Sequence, residues 1–503
     1  MNKIVKQAGK GVIAGYILTL VNIFRKLIIV PLVLGFVGQS LYGIWLIIGE
    51  VMGYLRQAEG GMGFAIEQRI ASVRWENNLP KLNSILSNGI IIYLLFSLLA
   101  IIAGLCLTPL VVIMFSIEPQ HHDLVRLVFL LTVISMGLGL PLDVISSFLR
   151  GVQKQAWATS IAIVASILGF GTVLLLLYNG FSLLALPLSG LVLLTFRYGM
   201  SWYSLNRAER GISISIGYIN RKVVRDLLTF SFFAFINQIS AIIIFGTDSI
   251  VAGYFLGTDQ VAIYMLTFQL TLTLIGLVRV ISNHLQPGFA ETSSMQKIDQ
   301  LRSLFLSTLR VLMVFAGLAA MAVYFMNKSF VELWVGPENF GGQSLTVIFA
   351  LIGIYTVFRT HCSALLLSSG DIKFVAHWVG LEALLNISLS VILVNYLGLT
   401  GVALGTLLGG VIASVLILVP KVSKKITISP RFIISEVLWR PVVFSLPTGL
   451  VFWSLSTFIF NSVTWFNFLI VGSIAASVGL FSIWFNIEKH NRTIILQKLN
   501  LPF

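Results

Sequence analysis

Arg25 and Lys26 stand side by side in an apolar run, with Leu20-Val-Asn-Ile-Phe24 before them and Leu27-Ile-Ile-Val30 after. A charge at the centre of a hydrocarbon layer costs about 2.5–3.5 kcal/mol on insertion scales, so such a residue faces a hydrated cavity or a partner. Two adjacent cations cannot both snorkel the same way, so at least one is expected to face a cavity or an acid such as Glu50. Arg56, Arg279 and Arg359 recur in the same kind of setting. Arginine binds phosphate and carboxylate groups through paired N–H donors. The chemistry these five cations suggest is therefore the holding of an anion. Four acids also lie in apolar stretches: Glu50, Asp143, Asp248 and Glu382. Each can balance a nearby cation, or take up a proton or a cation in a coupled cycle. His377 and Glu382, five apart, share a face only roughly and make a weak relay.

Motifs for covalent chemistry are missing. The sequence has no phosphate-binding glycine loop, no nucleotide fingerprint and no metal-ligand spacing, so no cofactor, no metal and no direct ATP drive is expected. Cys106 and Cys362 both lie in apolar stretches and form no CxxC pair.

The elements that position these residues follow from composition. Of 503 residues, 57% are hydrophobic and 10% charged; a soluble domain carries about 25% charged residues. The mean hydropathy is +0.95. Such a chain is an all-α polytopic membrane protein. Windows of about 20 apolar residues predict fourteen spans, near 11–36, 41–58, 89–115, 124–149, 157–178, 182–203, 227–255, 260–283, 303–326, 343–368, 374–396, 400–420, 439–461 and 464–486. The first is too long for a signal peptide, and Arg25 and Lys26 interrupt it.

The net charge is +14. With the N-terminus in the cytoplasm, nearly every loop cation falls on that side: Lys3, Lys6 and Lys10; Arg69, Arg74 and Lys81; Arg150 and Lys154; Arg207 to Arg225; Lys421 to Arg431; and Lys489 to Lys498. The opposite side receives Lys328. The bias places both termini in the cytoplasm. It also excludes nucleic acid as a partner, since the cations are dispersed and not gathered in one patch.

An internal repeat is visible. Gly38-Gln-Ser-Leu-Tyr-Gly-Ile-Trp45 matches Gly257-Thr-Asp-Gln-Val-Ala-Ile-Tyr264, and Leu149-Arg-Gly151 matches Ser368-Ser-Gly370, both at an offset of 219. Leu183-Leu-Ala-Leu186 matches Gly401-Val-Ala-Leu404 at 218. Six spans per copy is an even number, so the repeat is parallel, as in transporters built of two bundles around a cavity. The expected organisation is a six-helix bundle over 1–210, a second over 211–425, and two further helices with a tail over 426–503.

Leu41-Tyr-Gly-Ile-Trp-Leu-Ile47, Gly60-Gly-Met-Gly-Phe-Ala-Ile-Glu-Gln-Arg-Ile-Ala71, Ser147-Phe-Leu-Arg-Gly-Val-Gln-Lys154, Leu366-Leu-Leu-Ser-Ser-Gly-Asp-Ile-Lys373 and Gly398-Leu-Thr-Gly-Val-Ala-Leu-Gly405 occur in that order over nearly the whole chain. Together with fourteen spans and a six-plus-six repeat, they resemble the multidrug/oligosaccharidyl-lipid/polysaccharide (MOP) exporter superfamily, and within it the bacterial O-antigen and polysaccharide flippases. The resemblance implies movement of an undecaprenyl-diphosphate-linked oligosaccharide from the inner to the outer leaflet of the bacterial inner membrane, by two bundles rocking around a cationic cavity. The related lipid II flippases carry cavity arginines on their first, second and eighth helices. Arg25, Arg56 and Arg279 have that placement here. It also implies a tail groove at the thirteenth and fourteenth helices, where Trp439, Trp453, Trp465 and Trp484 lie. Membrane lipids, a polysaccharide polymerase and a chain-length regulator are the partners this implies; a monomer is expected because the cavity lies within one chain. Two other readings stand beside it: another MOP-type transporter, either a lipid II flippase or a cation-coupled drug exporter, and a polytopic polymerase or ligase. The polymerase or ligase would usually need a sizeable outer loop or an outer acidic motif, and this chain has neither.

Overall fold

The computed structural model describes residues 2–73, 76, 78–115, 117–152, 154–208, 211–458 and 464–486. Arg74, Arg210, Lys489, Arg492 and Lys498, and the side chains of Lys3, Lys6, Lys10, Arg279 and Trp484, lie outside the described residues. The described elements are helices: α1 Asn2–Arg56, α2 Met62–Val73, α3 Leu79–Met114, α4 His122–Gly151, α5 Gln155–Tyr178, α6 Ala185–Ala208, α7 Arg221–Leu256, α8 Thr258–Ser294, α9 Ile298–Val335, α10 Gln343–Ser368, α11 Ile372–Leu397, α12 Leu399–Ala413, α13 Val419–Ile426, α14 Pro430–Phe458 and α15 Trp465–Asn486.

Each predicted span falls on a helix. The first two are joined in α1, where Gly38 (φ 81°, ψ 169°) breaks the helical geometry. Only glycine takes that backbone without strain. Gly257, its counterpart in the repeat, stands between α7 and α8 with φ 94° and ψ 164°. The two copies thus turn at equivalent glycines with nearly the same backbone. Among the described residues, ten helices are long and apolar enough to cross a membrane. Leu94, Leu95, Leu98, Leu99 and Ile102 on α3 are each about half exposed. In water such a stripe would promote association; in lipid the surrounding acyl chains are its natural solvent. The protein is a multi-pass membrane protein.

Helix α2 was not among the predicted spans. It buries Met62, Ala65, Ile66 and Ile70 against Tyr93, Val144 and Phe148, the spacing of one helical face. At about 1.5–3 kcal/mol for each large side chain removed from water, that face holds the segment between α1 and α3 down as a helix. Gly151 makes room for it: a Cβ there would lie 2.9 Å from the Glu67 carbonyl oxygen.

The chain divides into two compact units, Met1–Gly246 with Gly257–Val261, and Thr247–Leu256 with Ala262–Phe503. In the first unit, residues 211–220 are strapped to one face of α3. Ser213 N donates to Asn83 Oδ1 at 3.1 Å, Ser215 N to Ser87 Oγ at 3.2 Å, and Asn220 N to Asn88 Oδ1 at 3.0 Å. Ser84 Oγ and Asn88 Nδ2 both donate to the Tyr218 carbonyl, at 2.9 and 3.0 Å. The side chains on α3 satisfy the backbone of a segment whose one regular element is the short 3-10 turn Ile216–Tyr218.

In the second unit, α12 lies against α11 through Gly401, Gly405 and Gly409. Each faces α11 backbone: Gly401 meets Leu393, Gly405 meets Ser390, and a Cβ on Gly409 would come 2.7 Å from Asn386 N. A glycine every fourth residue lets two membrane helices approach to backbone contact. After Ala413 the helix widens into a π-turn, Ser414–Leu418. Pro420 has no N–H to return to the carbonyl four residues before it, which accounts for the irregular ladder there.

Candidate functional site

Pro141 interrupts the ladder of α4. It leaves the Gly137 carbonyl without its usual N–H partner, and Ser97 Oγ on α3 fills the gap at 2.7 Å. Tyr198 on α6 donates to the Leu138 carbonyl at 2.6 Å. These two side chains fix the stretch that carries Asp143, about 12 Å from the C-terminal end of α4 at 1.5 Å per residue. Asp143 Oδ2 accepts from Arg56 Nη2 at 2.7 Å, and Oδ1 from Arg197 Nη2 at 3.1 Å. The three groups line a cavity of about 280 Å³ whose other walls include Met52, Thr132, Ser135, Met136, Gly139, Gly190 and Leu194. The lining carries two cations and one anion.

A second ring of charge surrounds this triad. Arg150 pairs with Glu67 at 2.8 Å and with Ser147 Oγ at 2.8 Å. Glu59, in the turn that follows α1, is within electrostatic reach of Arg56, Arg150 and Asp143. Loss of hydration pushes the Glu59 carboxyl above its ordinary range, against the pull of the two arginines. On the flank of α2 and α7, Arg69 bonds Asp226 at 3.2 Å beside Arg225, lining an open groove of about 820 Å³.

The remaining sequence candidates are distributed as follows. Arg25 is half-buried and, among the described residues, makes no ion pair, and its neighbour Lys26 lies within electrostatic reach of Glu50. Glu50 and Tyr54 close on Gly246 of α7, where a Cβ would meet Glu50 Oε2 at 2.8 Å. In the second unit, Glu382 is fully buried. Its Oε1 accepts from Tyr355 at 2.7 Å and its Oε2 from Arg359 Nε at 2.8 Å. Arg359 also lies over the Trp378 ring, 5.3 Å from its centroid. The Tyr355 hydroxyl is 3.1 Å from Ser414 Oγ, at the start of the π-turn. Asp248 is 1% exposed and accepts from Tyr264 at 2.8 Å and from Thr406 at 2.7 Å. The structure therefore brings Arg56 together with Asp143, and Arg359 together with Glu382. Arg279 lies on α8 with its side chain outside the described residues.

Sequence reading missed Arg197, the third member of the cavity triad. It is a cation inside the sixth predicted span, so the criterion that singled out Arg25 would have found it. Tyr355, Tyr264 and Thr406 were missed for a different reason: uncharged donors in apolar helices carry no signal until the fold places them beside a carboxylate.

A family model described as polysaccharide biosynthesis protein matches residues 8–293, more than half of the chain. The chain belongs to the polysaccharide biosynthesis protein family. Among solved structures, this family member is similar to the lipid II flippase MurJ in an inward closed conformation, with TM-score 0.69 and 18% identity over 97% of this chain and 99% of that one. It is also similar to an inward-facing multidrug resistance MATE family transporter of the MOP superfamily, with TM-score 0.68 and 16% identity over 80% and 96%. An outward-facing MATE structure gives 0.58 and 18% over 84% and 95%. At these identities the likeness establishes the fold, which is shared with the lipid II flippase and MATE transporter structures, as the sequence resemblance implied. A search of curated proteins found no match to this polysaccharide biosynthesis family member.

Proposed function

We propose that the protein is a flippase that moves an undecaprenyl-diphosphate-linked oligosaccharide, an O-antigen or other surface polysaccharide repeat unit, from the cytoplasmic to the outer leaflet of the bacterial inner membrane. The observation that carries the reading is the polysaccharide biosynthesis family match over residues 8–293, joined to a cavity among apolar helices lined by Arg56 and Arg197. A sugar diphosphate head cannot cross hydrocarbon unaided, because its charges and hydroxyls would lose their hydration. A cavity with guanidinium walls replaces that hydration, while the polyprenyl tail stays in lipid. No bond is made or broken in this cycle.

In this reading Arg25, Lys26, Arg56, Arg279 and Arg359 form the cationic set for the diphosphate and its sugars. Glu50, Asp143, Asp248 and Glu382 are the carboxylates available for proton or cation coupling. The chain works as a monomer by alternating access, with bundles over 1–210 and 211–425, two further helices over 426–503, and both termini in the cytoplasm. Polymerase and chain-length regulator would act on the product at the outer face.

The test is translocation in sealed proteoliposomes. An undecaprenyl-diphosphate oligosaccharide is placed on one leaflet, and its exposure to an impermeant sugar-modifying enzyme is followed. The expected result is protein-dependent movement that falls at least tenfold in Arg25→Ala. Correctly folded protein that moves none of several oligosaccharide lipids would overturn the reading in favour of another MOP-type substrate, lipid II or an organic cation. New glycan linkages formed in the same vesicles would instead identify a polymerase or ligase.

A further inference from the structure

Asp143 is shared between two guanidiniums that approach from different helices, Arg56 at the end of α1 and Arg197 on α6. A guanidinium has five N–H donors. Asp143 takes one from each, and among the described residues no other acceptor bonds either guanidinium. Both arginines are more open than the acid between them: Arg56 is 54% exposed, Arg197 34% and Asp143 20%. Two glycines keep the adjoining wall bare. A Cβ on Gly190 would lie 2.8 Å from Ser135 Oγ, and one on Gly139 would lie 3.7 Å from Arg197 Nη1.

We propose that Asp143 is a resident counter-anion, exchanged for a phosphoryl oxyanion of the substrate, and that Arg197 together with Arg56 forms the phosphoryl seat of the first unit. This rests on the transport reading above and names the part of the substrate that the cavity takes. Between substrates the carboxylate keeps two guanidiniums poised; without it they would face each other as unbalanced like charges. One carboxylate balances only one of the two cations. The diphosphate bridge of such a substrate carries two negative charges, one on each phosphoryl group, so it balances both cations and engages the unused donors of each, pairwise. It therefore displaces Asp143, whereas a monocarboxylate gains nothing over it. Asp143 also competes with the bound group, so it weakens binding and favours release, as a transport cycle requires.

The experiment uses the full-length protein in nanodiscs of phosphatidylcholine, which carries no net charge, titrated calorimetrically with inorganic pyrophosphate, geranyl diphosphate and acetate. The expected pattern is pyrophosphate binding that tightens at least threefold in Asp143→Asn and weakens at least tenfold in Arg197→Ala, with no acetate binding. Tighter binding of geranyl diphosphate than of pyrophosphate assigns the seat to a lipid-linked phosphoryl group, and equal binding assigns it to a free one. Pyrophosphate binding that Asp143→Asn weakens or leaves unchanged, at an unaltered melting temperature, overturns the proposal. So does binding indifferent to Arg197→Ala, or to Arg197→Gln if the alanine variant does not fold. The flipping assay separates the two readings. Arg197→Ala protein that flips at the wild-type rate removes the seat and leaves the flippase. Wild-type protein that binds pyrophosphate in this pattern but moves no oligosaccharide lipid removes the flippase and leaves the seat.

Discussion

The Tyr355 hydroxyl donates to Glu382 across 2.7 Å, from α10 to α11, in an environment closed to solvent. Arg359 takes the other carboxylate oxygen. Removing one member of a buried ion pair strands the other charge, at a cost of about 3–5 kcal/mol. Glu382→Ala is therefore expected to lower the melting temperature strongly in detergent. Glu382→Leu combined with Arg359→Met should recover most of that loss, because it removes both charges. Tyr355→Phe leaves the ion pair and costs about 1 kcal/mol. Thermal unfolding of the four proteins checks the order; a double variant no better than Glu382→Ala would refute it.

The glycine stripe of α12 makes a steric prediction. A methyl group at Gly405 would run into the Ser390 backbone of α11, which cannot swing aside as a side chain can. Overpacking of this kind costs about 1–3 kcal/mol. Gly405→Ala should reduce folded yield and melting temperature, and Gly405→Val should do so further. Gly380, with nothing within 4 Å of its Cβ position, is the control: Gly380→Ala should leave both unchanged.

Asp371, in the turn between α10 and α11, is bonded by Lys421 at 2.8 Å and Lys425 at 3.0 Å. Partial burial opposes its ionisation, but the hydrogen bonds and charges of the two lysines outweigh this and hold its pKa below the usual value. A carboxyl with a depressed folded-state pKa stabilises the fold above its unfolded pKa, about 3.9. That contribution is lost as the pH falls through the folded-state value. Melting temperature against pH should therefore drop below about pH 4, with a shallower drop in Asp371→Asn. Parallel acid limbs for the two proteins would contradict the assignment.

The strap at residues 211–220 depends on a few side chains of α3. Asn88→Ala removes the acceptor for Asn220 N and one of the two donors to the Tyr218 carbonyl. Proteolysis within 211–220 is expected to accelerate severalfold, with cleavage elsewhere unchanged. Asn395→Ala, whose amide donates within its own helix to the Val391 carbonyl, should leave the cleavage rate at 211–220 as it is.

The spans were legible because hydrocarbon imposes a length and a composition that sequence cannot disguise, and Gly38 and Gly257 were legible as a repeat because the same turn demands the same residue. Helix α2 was harder to read, since its apolar face of Met62, Ala65, Ile66 and Ile70 is too short to register as a span. The candidate site was legible only as separate charges. Arg56 and Asp143 are 87 positions apart, and nothing local in either stretch states that they share a hydrogen bond. Their pairing depends on where α1, α4 and α6 come together, which is a property of packing. Gly405 fell within a segment quoted for its family resemblance, but the stripe from Gly401 to Gly409 has a steric meaning only once α11 is known to lie against it.

The strap has a consequence for synthesis. The hydrogen bonds that fasten it join groups between Asn83 and Asn220. Chains emerge from the ribosome N-terminus first and fold domain by domain. The fastening of this segment can thus be finished before the helices α8 to α15 exist, so α7, which follows it directly, starts from a fixed anchor instead of a loose tether.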